Sequence, residues 1–160
     1  MTEIQTSFNG QITVPLAYDK LYEKLTDIPF IASHYPDVAS IEPYENGYLW
    51  KMNKIGAGKF SFQITYANHY PQSKEEQRIS WEPIHGIGNA KINGHWGFDP
   101  QGDSTKLDFH TTLKIDINIS KLFKKPAEAV LNAETKKRMG EYLGNLARTL
   151  SGGNGVINHF

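Results

Sequence analysis

The chain contains no cysteine. Disulfides, thiolate nucleophiles and cysteine-based zinc sites are therefore excluded before any pattern is read. Charge of either sign is not in excess, since 17 basic side chains balance 17 acidic ones. A nucleic-acid binder held by phosphate attraction carries a basic surplus, so nucleic acid is not expected as a partner. No apolar run approaches the roughly 20 residues that a membrane-crossing helix needs. Residues 1–10, "MTEIQTSFNG", have neither the basic start nor the apolar core of a secretory signal. These absences lead to the expectation of a cytoplasmic protein. Its 160 residues suit one domain with a sizeable core.

What is present is mostly strand pattern. Ile4, Thr6, Phe8, Gly10, Ile12 and Val14 alternate with Glu3, Gln5, Ser7, Gln11 and Thr13, which predicts a half-buried strand. Pro15 stops it and suits the start of a helix carrying Leu16, Leu21 and Leu25. Pro29 is expected to end that helix, and "FIASHY" reads as a second short helical piece. Strands follow. Asn46 before Gly47 signals a hairpin, with Tyr48, Trp50 and Met52 on one face. "GKFSFQITYANHY" puts Phe60, Phe62, Ile64 and Tyr66 together. Later segments add Ile79 and Trp81, then Ala90, Ile92, Trp96 and Phe98, then Leu107, Phe109, Thr111, Leu113 and Ile115. Short polar turns between them predict an antiparallel meander with one wet face.

The period then changes. Residues 126–150 read as one helix of about 25 residues, or roughly 37 Å. Leu131, Met139, Tyr142, Leu143, Leu146 and Leu150 form its apolar stripe, with Lys137, Glu141, Gly144 and Arg148 opposite. Residues 1–150 are thus expected to form a single ligand-binding domain, and 151–160 a flexible tail with Gly152 and Gly153 at its start. The order predicts an α+β domain in which a curved antiparallel sheet is covered by one long helix. One helix cannot fill the concave side of a wide sheet, so an internal cavity is expected.

"GIGNAKINGHWGFDP", residues 86–100, tests for a nucleotide site. A dinucleotide fingerprint needs G-x-G-x-x-G between a strand and a helix, and a phosphate loop needs G-x-x-x-x-G-K-[ST]. Here position 91 is Lys91 and a strand follows, so the nucleotide reading fails. Gly94 falls on the face of Ile92 and Trp96, where glycine marks a bend or a close approach.

This layout resembles the START-like (SRPBCC) superfamily, the helix-grip fold shared with the birch-pollen allergen and polyketide cyclases. "ITVPLAYDKLYEKLTDIPFIASHYPDVASIE" is similar to its opening: a strand, a short helix after proline, an Asp-Ile-Pro turn and a pre-strand P-D-V. "IGNAKINGHWGFDPQGDSTKLDF" resembles a late hairpin in the carbon monoxide dehydrogenase branch of that superfamily. The resemblance spans residues 3–150. It implies seven antiparallel strands gripping the C-terminal helix around a lipophilic pocket. The superfamily has no universal catalytic residues, so none is carried over.

The six histidines show no H-x-H or H-E-x-x-H spacing, so no metal is expected, and no cofactor motif occurs. His95 and His110 read as wet-face residues. Serine lacks a nucleophile-elbow context. Trp50, Phe62, Tyr66, Trp81, Trp96 and Phe109 are candidate ligand contacts from the sheet, with Thr135, Met139 and Tyr142 from the helix; the alternative is that these rings are simply core. Glu128, Asn132 and Thr135 share a bearing on the helix's first half. A Glu128 facing the cavity would be a proton donor or acceptor, whereas one overhanging the sheet would stay wet. In "SKLFKKP", Lys121, Lys124 and Lys125 flank Phe123, which suits peripheral contact with anionic lipid or, more simply, a solvated turn. Three functions remain open: a carrier for a lipid, quinone or polyketide-like molecule, a cyclase or dehydratase, and an assembly factor for a larger enzyme.

Overall fold

The computed structural model describes residues 1–151 and the backbone of 156–159. The first strand, β1 (Thr2–Val14), buries every second residue, as its period-two pattern predicts. Two short helices follow, α1 (Tyr18–Leu25) and α2 (Ile28–Ala32). Pro29 does not end the first, as expected, but opens the second, where its missing N–H costs nothing. Asp27 caps that helix by accepting from the Phe30 N–H at 3.2 Å.

The sheet strands are β2 (Val38–Tyr44), β3 (Gly47–Met52), β6 (Thr65–His69), β7 (Gln72–Ser73), β8 (Arg78–Pro83), β9 (Ala90–Gln101) and β10 (Ser104–Ile117). Val156–His159, β11, lies within the expected tail and pairs antiparallel with Gly10, Gln11, Ile12 and Thr13. Residues 152–155 and 160 of that tail lie outside the described residues. The strand order is β11-β1-β10-β9-β8-β6-β3-β2, with β7 attached to β8. The α+β helix-grip arrangement is therefore as expected, with more strands than the seven anticipated. One stretch expected to be continuous is broken. Phe60–Phe62 (β5) leaves the main sheet to pair with Ile55–Ala57 (β4) as a separate hairpin. The β2–β3 loop is Glu45 and Asn46 rather than Asn46 and Gly47. Gly47 already pairs with Tyr44, and a side chain there would overlap the Asn68 carbonyl.

A 3-10 turn, Lys121–Phe123, leads into α3 (Lys124–Ser151), about 42 Å long at 1.5 Å per residue. Its stripe of Leu131, Tyr142, Leu143, Leu146 and Leu150 is buried. Gly144, expected on the wet side, is buried too. The helix lies against β1 at Gly10, where a Cβ would overlap the Leu143 side chain, so glycine sets the closest approach of the two elements. His34 ties α2 to the end of α3, its Nε2 meeting the Thr149 hydroxyl at 2.9 Å and its Nδ1 the Phe30 carbonyl at 2.8 Å.

The glycines of residues 86–100 divide as the thin-strand reading requires. Gly86 and Gly88 are in the left-handed region, φ +88° and +76°, within the loop before β9. Gly94 lies opposite both Thr111 and Trp81. A Cβ there would overlap the His110 carbonyl and come within 2.8 Å of the Trp81 ring. The indole occupies the space that the missing side chain leaves, and its Nε1 donates to the Thr111 hydroxyl at 3.2 Å.

On the convex face His95 and His110 stand side by side on paired strands, ring centroids 5.7 Å apart. Burial, then the cations of Arg78 and a protonated His110, hold the His95 imidazole below its ordinary value. The folded state thus favours neutral His95. Its contribution to stability is complete above about pH 6.5 and is lost as the pH falls below that value. His95→Gln is expected to flatten the decline in Tm between about pH 7 and pH 5 relative to wild type. An identical slope in both proteins would contradict this.

Candidate functional site

Between the concave face of the sheet and α2 and α3 lie two adjoining cavities. The inner one, about 30 Å³, is walled by aromatic rings from the sheet and by Tyr142 of α3. The outer one, about 80 Å³, is bounded by Met52, Ile55, Ile64, Leu113, Thr135 and Met139. Tyr35, Tyr66 and Ile92 line both and separate them. The strand periodicity places every one of these sheet residues on the inner face.

The bowl is narrower inside than its width suggested, because the rings fill much of it. Trp50 stacks on Tyr66 at 5.8 Å, and Tyr35 stacks on Tyr142 at 3.8 Å. Trp81, Trp96 and Phe109 pack together, Trp96 and Phe109 being 4.7 Å apart. Of the expected contacts, Trp50, Trp81, Trp96, Phe109 and Tyr142 line the inner cavity, Thr135 and Met139 the outer, and Tyr66 both. Phe62 lines neither; it is buried in β5, opposite Ile55.

Polar groups are few and placed at the ends. Asn68, 2% exposed, lines the inner cavity and its Oδ1 has no hydrogen-bond partner. The Trp50 indole N–H donates to the Tyr70 hydroxyl at 2.7 Å. The hydroxyls of Tyr35 and Tyr142 are hydrogen-bonded to each other. Burial pushes the phenols of Tyr35, Tyr66, Tyr70 and Tyr142 upward, so they remain neutral donors at physiological pH. At the outer end Arg138 Nε bonds Asp37 Oδ2 at 2.6 Å, and its Nη1 bonds Glu134 one turn earlier on α3. Asp37 adopts φ +66°, a conformation a non-glycine residue holds only under local constraint.

Sequence reasoning missed Asn68, Tyr35, Tyr70 and Arg138. Asn68 and Tyr70 lie in the polar-looking run "ANHYP", which reads as a strand end. Tyr35 sits in a loop with no periodicity to report its direction.

Glu128 is directed elsewhere. Its Oε2 accepts from the Gln5 N–H at 3.0 Å, along the edge of β1 that carries no partner strand there. Asn132, next on the same bearing, accepts from the Thr6 hydroxyl at 2.8 Å. The first half of α3 therefore closes a sheet edge with side chains, which is why those positions are polar. Among the described residues no three His, Asp or Glu side chains are grouped to hold a metal ion.

No protein-family model and no curated protein matches the sequence. Solved structures do match. An aromatase/cyclase from Streptomyces superposes with a TM-score of 0.65 at 14% identity, covering 94% of this chain and 99% of that one. Norcoclaurine synthase from Thalictrum flavum gives 0.55 at 16% identity, over 90% and 87%. A START superfamily protein from Mycobacterium smegmatis gives 0.54 at 15% identity, over 94% of each chain. The chain has the START-like helix-grip fold. Among the described residues, no helix is long and apolar enough to cross a membrane.

Proposed function

We propose that the protein binds a compact hydrophobic molecule bearing a hydroxyl or N–H group, with that group seated on Asn68 and the apolar body among the rings. The observation that carries this is the unpaired Asn68 carbonyl inside an aromatic cavity. A buried acceptor left without a partner costs about 1–3 kcal/mol, and a ligand donor removes that cost. The two cavities, about 30 and 80 Å³, are well below the ~300–1,000 Å³ of pockets that enclose drug-sized ligands. A flat phenol or a small polyketide-like ring system therefore suits the space better than an extended lipid. Tyr35, Tyr66 and Ile92 would have to shift to merge the two voids.

A catalytic reading gains no support from Glu128, which is committed to the sheet edge. Proton transfer in the cavity would rest on the phenols.

The test uses the three tryptophans, all of which line the inner cavity. Titration with 2-naphthol is expected to quench their fluorescence saturably, at about tenfold lower concentration than naphthalene. Asn68→Leu is expected to abolish that preference and to raise stability by about 1 kcal/mol, because the orphan carbonyl is gone. Absence of saturation with either compound, or an unchanged preference in Asn68→Leu, would overturn the proposal.

A further inference from the structure

Apart from Met1, Leu122 and Phe123 are the large hydrophobic side chains that the described surface exposes, at 87% and 40%. Both belong to the 3-10 turn before α3. Phe123 leans on Phe60 of the β4–β5 hairpin, centroids 6.4 Å apart, and Lys59 Nζ sits 4.3 Å from the Phe123 ring. Lys121, Lys124 and Lys125 complete the rim and are all exposed. Among the described residues, none of these four lysines forms an ion pair.

Local stability does not account for this cluster. Lys124 and Lys125 stand in the first turn of α3, which has no acidic residue, and cations at a helix N-terminus oppose its dipole. The nearest acid along the helix, Glu128, is turned toward β1. Four unpaired ammonium groups around a protruding leucine, in a chain of zero net charge, form a concentrated local field with an apolar tip.

We propose that this turn and the hairpin tip dock on the surface of an anionic phospholipid membrane, with Leu122 and Phe123 entering the headgroup layer. A protruding tip suits a deformable layer better than the concave face of a shape-matched protein partner. Lysine stems bury their methylenes while the charge stays among phosphates. The same hairpin supplies Ile55 to the outer cavity, so docking would set that cavity's wall beside the bilayer. The docking surface does not depend on what the cavity binds.

Co-sedimentation of the full chain with phosphatidylcholine vesicles, with and without half phosphatidylglycerol, tests it. Binding is expected on the anionic vesicles alone and is expected to be lost in high salt. Lys124→Gln with Lys125→Gln is expected to weaken partitioning about 25-fold, at about fivefold per lysine. Leu122→Ser is expected to weaken it about tenfold. These positions are exposed, so circular dichroism should show unchanged folding. No preference for anionic vesicles, or equal binding by Leu122→Ser and wild type, overturns the proposal, whatever protein the patch captures instead.

Discussion

Gly94→Val is expected to lower the unfolding free energy by about 3 kcal/mol or more, because it forces a branched side chain into a packed site. The new Cβ would overlap the His110 carbonyl, which β-pairing fixes, and would press on the Trp81 ring at 2.8 Å. Relief requires the indole to leave Thr111 or β9 to part from β10. Gly97→Val, three residues along the same strand, is the control. A Cβ there meets only Asp108 Cβ, at 3.8 Å, and valine suits a strand better than glycine by up to about 1 kcal/mol. Urea denaturation of both variants measures the difference. Equal losses at the two positions would mean that strand propensity, not the bed of Trp81, explains the glycine at 94.

Trp96→Ala is expected to cost about 4 kcal/mol, within the range for truncating a fully buried aromatic side chain. Trp96 is 1% exposed and bears on Trp81, Phe109 and Tyr142, the three rings that hold the inner cavity open on the sheet side. Its removal opens a void continuous with that cavity. Millimolar indole is then expected to raise the Tm of the variant well above its effect on wild type, since a ligand of the folded state stabilises by mass action. Calorimetry with and without indole gives the answer. A loss below about 2 kcal/mol with no indole effect would show that the sheet collapses onto the gap.

The elements were largely legible because each rests on a local rule. Alternation in β1 and β10 buried the residues it marked, and the stripe on α3 faced the sheet from Leu131 to Leu150. Where boundaries shifted, a local competitor explains it. Asp27 capped a helix that Pro29 could open, so the proline begins α2 rather than ending α1. The β5 segment kept its buried face yet left the main sheet, because side-chain period is the same whichever strand is the partner.

The candidate site was legible as a set of rings and not as a space. Tyr35 and Arg138 come from a loop and from a shoulder of α3, where no periodicity predicts direction. Glu128 shared a bearing with Thr135, yet the two are nearly two helical turns apart, and the sheet ends between them. One meets an open strand edge and the other a cavity.

By itself the sequence determined that one antiparallel sheet would carry an aromatic inner face beneath a single long helix, since residue spacing dictates which side chains share a side. Only the tertiary structure decided how much room is left. That volume is a small difference between the large volume of the bowl and that of the rings within it. It depends on rotamers, on stacking such as Tyr35 upon Tyr142, and on the height at which Gly10 lets α3 settle. Each of these is a contact between residues far apart in the chain, beyond the reach of any local pattern.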